Sequence, residues 1–212
     1  PPAFHRLAPP WEDVRVAAAT GPFGDGQRVT IRTTLFGPIS ATWVAELFDV
    51  EPGRRFRDRQ LSGPFAAWTH THSFLPAGPA ASTLEDHVEY TLPLGGVGRL
   101  LGGASVRTRL ERMFAYRHAV TASDLRRHGA VRDRPRLTVA VTGSRGLLGS
   151  DLCLFLAGGG HRVVRLVRGK ADPPAADDGT TAATWTPDEP VSPALFDGVQ
   201  QMRGYRETRL TV

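Results

Sequence analysis

Three glycines spaced three apart, Gly143, Gly146 and Gly149 in Thr142-Gly-Ser-Arg-Gly-Leu-Leu-Gly, are the residues whose type and spacing point most directly to chemistry. A loop so poor in side chains lets backbone N–H groups approach a phosphate, and a helix opening within it adds donors and partial positive charge. Gly143 permits a tight turn, Gly146 lets the backbone approach a pyrophosphate, and Gly149 lets helix and strand pack closely. With 23 glycines in 212 residues the spacing alone is weak. Its context strengthens it, because Leu137-Thr-Val-Ala-Val141 before it and His161 to Val167 after it read as buried parallel strands. At the end of the second strand an acid hydrogen-bonds a ribose 2′-hydroxyl, whereas arginine pairs with a 2′-phosphate. Arg168 stands there and Arg145 lies inside the loop, which favours NADP over NAD. The candidate cofactor site is therefore Gly143, Ser144, Arg145, Gly146, Leu147, Leu148, Gly149 and Arg168.

Other constellations are thinner. His70 and His72 alternate on one strand and face the same way, a spacing compatible with metal. Two ligands are not a site, His87 and His118 join them only if the fold brings them there, and the sequence places no acidic cluster nearby. In Glu85-Asp-His-Val-Glu89, alternation sends Glu85, His87 and Glu89 to one solvated face. No G-x-S-x-G elbow or Walker loop occurs, so hydrolase and nucleotidase readings lack support. No metal site and no catalytic residue are assigned. Cys153, the single cysteine, lies in Leu152-Cys-Leu-Phe-Leu156 and reads as a buried helix residue rather than a nucleophile.

The elements that must position these residues fall into two rhythms. Arg28–Leu35, Ile39–Val50, Arg55–Leu61, Ala67–Leu75 and Thr83–Thr91 read as five strands separated by Gly/Pro breaks, hence an antiparallel meander. From Gly103 to Arg127, Val106, Leu110, Met113, Phe114, Val120 and Leu125 recur at near-helical spacing and predict one long amphipathic helix across the sheet. Gly95-Gly-Val-Gly98 and Gly102-Gly103 read as a flexible loop before it. Such a sheet around such a helix is a helix-grip arrangement, which implies an apolar ligand cavity between the two. Residues 130–136 have linker composition, and a βαβ unit follows. The expected fold class is thus an α+β helix-grip domain, residues 1–129, followed by a partial α/β Rossmann segment, residues 137–199, and an atypical tail, residues 200–212.

Composition bounds the rest. The chain carries 26 basic and 21 acidic residues, a net charge of +5, spread along both segments without a basic tail. Only Lys170 among the basic residues is not arginine, so the basicity reflects coding bias, and nucleic acid is not an expected partner. No stretch approaches the roughly 18 apolar residues of a membrane span, and no signal peptide opens the chain. One cysteine excludes an internal disulfide, which fits a cytoplasmic location.

The loop Thr142–Gly149 with Gly160-His-Arg-Val-Val-Arg-Leu-Val-Arg168 resembles the atypical or extended short-chain dehydrogenase/reductases, specifically the bacterial NAD-dependent epimerase/dehydratase-like family. Thr184-Trp-Thr-Pro187 and Leu195-Phe-Asp-Gly-Val199 resemble its third strand and following helix. Leu7-Ala-Pro-Pro-Trp11, Trp68-Thr-His-Thr-His-Ser-Phe74 and Met113-Phe-Ala-Tyr-Arg-His118 resemble the N-terminal SRPBCC (START-like, cyclase/dehydrase) domain of some members. The resemblance implies an NADP-binding oxidoreductase or epimerase-like protein fused to a domain for an apolar small molecule. It also implies a chain truncated at both ends and catalytically incomplete, since Tyr205 lacks the lysine expected after it. The alternative is a non-enzymatic small-molecule carrier with a structural nucleotide-fold remnant. Neither reading specifies an oligomeric state.

Overall fold

The computed structural model describes residues 4, 6–36, 39–79, 81–169 and 179–188. They divide into two compact units, Phe4–Ser123 and the residues from Asp124 onward.

The first unit holds six strands: β1 Val14–Ala19, β2 Arg28–Phe36, β3 Ile39–Glu51, β4 Arg55–Ser62, β5 Ala67–Pro76 and β6 Ser82–Thr91. They lie in chain order, each antiparallel to the next. Each break at a Gly/Pro pair falls between strands, and Gly53 turns β3 into β4 with φ +74°. β1 is an addition to the five expected strands. Its sequence, Val-Arg-Val-Ala-Ala-Ala, is half alanine and carries little strand signal; pairing with β2 through a bulge at Val16/Ala18 makes it a strand.

Helix α1 spans Gly95–Gly129 and its residues from Asp124 belong to the second unit. It starts eight residues before the expected Gly103, absorbing the glycines that read as loop. Gly98 shows why one of them is glycine: a Cβ there would lie 1.9 Å from the Pro93 carbonyl oxygen.

The helix-grip (START-like) expectation is overturned. Among the described residues the unit is a six-stranded antiparallel sheet in plain sequential order with one long helix, and the described side chains of that helix form no buried apolar stripe such as a grip requires. Of its expected core side chains, Val106, Leu110, Met113, Phe114 and Val120 are only half-buried, and Leu125 is 67% exposed. Polar groups also fasten the helix. Arg109 donates to both carboxylate oxygens of Glu12 and to the Thr34 carbonyl at 2.8 Å.

The sheet's own packing centres on aromatic rings. Trp43 and Trp68 meet edge to face at 4.8 Å, and Phe65 packs against Trp68 at 5.0 Å and Tyr90 at 5.5 Å. The Gln60 amide ties the β4–β5 connection, donating to the Phe65 carbonyl at 2.7 Å and accepting from its N–H at 3.3 Å.

The second unit contains β7 Thr138–Val141, α2 Leu147–Gly158, β8 Arg162–Val167 and β9 Thr180–Thr184. The strands form a parallel sheet in the order β7-β8-β9. Val163 and Cys153 are fully buried and Val141 nearly so, with Val139, Leu156 and Ala157 around them. The partial Rossmann expectation is corrected as well. Among the described residues the unit is three strands with α2 as the helix between them, not a sheet layered by helices on both faces. Lys170, Leu195–Val199, Tyr205 and the tail lie outside the described residues.

Candidate functional site

Strand β7 delivers the chain to the glycine loop, and α2 leaves it. Gly143 has φ +65°, the left-handed turn that side chains disfavour. The Gly146 N–H donates back to the Gly143 carbonyl at 2.9 Å, which closes the loop before the helix. Gly146 is the helix N-cap and offers no side-chain cap, and the first turn contains no acidic residue. The first-turn N–H groups of a helix have no intrahelical acceptor, so this end presents donors and partial positive charge.

Around that end the assigned residues differ in exposure. Gly143, Arg145, Gly146, Leu147 and Leu148 are exposed, with the two leucines at 84% and 83%. Ser144 is buried, and its Oγ has no hydrogen-bond partner among the described residues. Gly149 packs against the loop rather than the strand: a Cβ there would fall 2.2 Å from the Gly143 carbonyl oxygen. Arg168 follows β8 directly and is exposed.

A second cluster lies in the first unit, and sequence reasoning missed half of it. The β4–β5 register sets Asp58 opposite His70, and the β5–β6 register sets Asp86 opposite His72. Paired residues share a face, so both carboxylates join both imidazoles. Asp86 Oδ1 lies 3.0 Å from His70 Nε2 and 2.7 Å from His72 Nδ1. Its Oδ2 lies 2.6 Å from Nε2 of His118, which α1 supplies. Asp58 Oδ1 accepts from Trp68 Nε1 at 3.2 Å, while its Oδ2 faces His70 Nδ1 at 3.3 Å and His72 Nε2 at 3.6 Å. His87 falls on the opposite, exposed face with Glu85 and Glu89. The sequence view that no acids accompany His70 and His72 is thereby corrected. Only a known register could have revealed them.

Electrostatics in this cluster are set by burial working against close partners. Burial raises the Asp58 carboxyl, but the neighbouring His70 and His72 rings outweigh it and hold the group at about 2. Asp86 is likewise resisted by burial and driven well below the usual carboxylate range by His70, His72 and His118. For His70, burial disfavours the charged ring, and the two carboxylates more than reverse this. Burial lowers Arg117, and the charges of Asp86 and Asp58 oppose that shift.

No family model and no curated protein matches the chain. Among solved structures, the nucleoside-diphosphate sugar epimerase from Corynebacterium glutamicum is similar with a TM-score of 0.62 and 32% identity over 93% of this chain. The chain spans 39% of that protein's length. A protein from Thermus thermophilus covers 57% of this chain, which spans 82% of it, at a TM-score of 0.41 and 21% identity. No helix among the described residues is long and apolar enough to cross a membrane.

Proposed function

We propose that the chain belongs to an epimerase-like, NADP-binding protein of the oxidoreductase type and supplies the cofactor's phosphate-binding loop. The observation that carries this reading is the uncapped, acid-free N-terminus of α2 opening straight from a parallel strand through Gly143–Gly146. The residues present fit an anionic dinucleotide. First-turn N–H groups would receive the pyrophosphate, and Gly146 keeps side-chain bulk away from it. Within the loop the Ser144 hydroxyl has no partner among the described residues, and Arg145 and Arg168 bring positive charge. The name of the Corynebacterium protein supports the epimerase-like part and suggests a nucleoside-diphosphate sugar as substrate class. The cofactor, when bound, would supply hydride chemistry at its nicotinamide, while the residues above bind and orient it.

The test is a fluorescence titration of the 212-residue chain with NADPH and NADH. A charge-assisted contact from Arg168 to the 2′-phosphate contributes about 1.5–3 kcal/mol, so NADPH should bind roughly tenfold or more tightly. Arg168→Asp should remove the preference and Gly146→Asp should remove binding of both nucleotides. Equal affinities in the wild type would sink the 2′-phosphate role, and unchanged binding by Gly146→Asp would sink the site.

A further inference from the structure

We propose that Asp58, His70 and His72 form a binding site for a divalent transition-metal ion of the zinc class, with Asp86 as the carboxylate that orients both histidines. This is independent of the glycine loop and lies in the other unit.

The first argument is the spacing of donors. With bonds of about 2.0–2.1 Å, neighbouring donors around a tetrahedral zinc ion stand about 3.3–3.4 Å apart. Asp58 Oδ2 stands 3.3 Å from His70 Nδ1 and 3.6 Å from His72 Nε2, and Asp58, His70 and His72 each offer one ligand atom within 4.8 Å of the others. A separation of 3.6 Å is too long for a hydrogen bond, so Asp58 and His72 face each other without bonding. Asp58 Oδ2 thus stands from each of the two histidine nitrogens at about the spacing of ligands on one small ion.

The second argument is the tautomer. A ligating imidazole nitrogen must be unprotonated, so the other ring nitrogen carries the proton and needs an acceptor. Asp86 Oδ1 provides it for both rings at once, at His70 Nε2 and His72 Nδ1. The two nitrogens left over are the two that face Asp58. One carboxylate thus fixes both rings for a ligand on the opposite side, and the Asp86 side chain is itself only 6% exposed.

The third argument is rigidity. Neighbouring β4, β5 and β6 fix the four residues by ladder register, and flanking rings hold the histidines in place. Phe56 stacks on His72 at 4.0 Å, and Phe114 meets His70 edge-on at 5.2 Å. Two imidazoles and a carboxylate form a mixed nitrogen and oxygen set suited to zinc rather than to calcium or magnesium, which favour all-oxygen shells.

The experiment uses the untagged 212-residue chain, stripped with chelator and desalted, titrated calorimetrically with Zn²⁺ and followed in the visible with Co²⁺. Stoichiometric binding with d–d bands of four-coordinate intensity is expected. Asp58→Asn and His72→Gln should abolish stoichiometric binding, Asp86→Asn should weaken it about 10–100-fold, and exposed His87→Gln should leave it unchanged. Circular dichroism checks that each variant retains its sheet. A measurement on the wild type needs no variant: Zn²⁺ should shift the nitrogen resonances of His70 Nδ1 and His72 Nε2 and spare those of His87. Absence of stoichiometric binding by the folded wild type, or full binding by folded Asp58→Asn and His72→Gln, would show a cluster held by protons alone and overturn the proposal.

Discussion

Gly149 and Gly158 both lie in α2, yet they tolerate side chains differently. A Cβ on Gly149 would press within 2.2 Å of the Gly143 carbonyl oxygen, a backbone atom that cannot swing aside, whereas a Cβ on Gly158 would meet nothing within 4 Å. Gly149→Ala must therefore push the loop off the helix, and overpacking of this kind costs about 1–3 kcal/mol. Gly158→Ala removes backbone entropy from the unfolded chain and should be neutral or stabilising by up to about 1 kcal/mol. Urea melts of the two variants should shift in opposite directions or leave Gly158→Ala unmoved; a Gly149→Ala variant with wild-type stability would mean that the loop does not rest on the helix. The glycine spacing was legible in the sequence because a turn and a helix start are local events encoded within a few residues. The Asp58, His70, His72 and Asp86 cluster was legible only in part. Alternation put the two histidines on one face, but their acidic partners depend on two strand registers that no local signal sets.

At the scale of elements, the strand breaks were readable from Gly/Pro pairs, while the extent of α1 was not. Glycines at its start have low helix propensity, and only the close approach of Gly98 to Pro93 explains their presence there. The helix-grip reading failed for a related reason. Near-helical spacing of apolar residues shows which side of a helix could be buried, not whether a sheet closes over it, and polar contacts such as Arg109 with Glu12 join in the fastening. The junction of β7 and β8 offers a pH test of how another pair of elements is held. The Leu137 N–H donates to His161 Nδ1 at 3.0 Å, so the ring accepts in its neutral form. Burial, then Arg136 and His128, hold His161 below its ordinary value. A group whose folded value is depressed stabilises the fold above its unfolded value, about 6.5, and loses that contribution as pH falls through the folded value. Exchange of the Leu137 amide, corrected for intrinsic rates, should therefore quicken as pH falls below about 6.5 in the wild type. His161→Gln should flatten the dependence, and equal slopes in the two proteins would remove His161 from the junction.

At the scale of the whole molecule, two compact units with separate cores imply separate unfolding events rather than one two-state transition. The first unit relies on aromatic packing around Trp43, Phe65, Trp68 and Tyr90. In the second, Val163 is fully buried against Val141 and Cys153, so Val163→Ala removes two buried methyl groups from that core. The loss is about 2 kcal/mol, from roughly 0.8 kcal/mol per buried carbon plus the cavity left behind. Cys153 is the single cysteine and fully buried, which makes it a reporter of the second unit alone: its thiol meets a labelling reagent only when that core opens. Near-ultraviolet dichroism of the packed tryptophans reports mainly on the first unit, which holds Trp11, Trp43 and Trp68. Val163→Ala should lower the denaturant midpoint of Cys153 labelling and leave the dichroism midpoint near its wild-type position. Equal displacement of both midpoints would mean that the two cores melt together, because a cavity confined to one unit can lower the stability of the other only if neither unfolds without it.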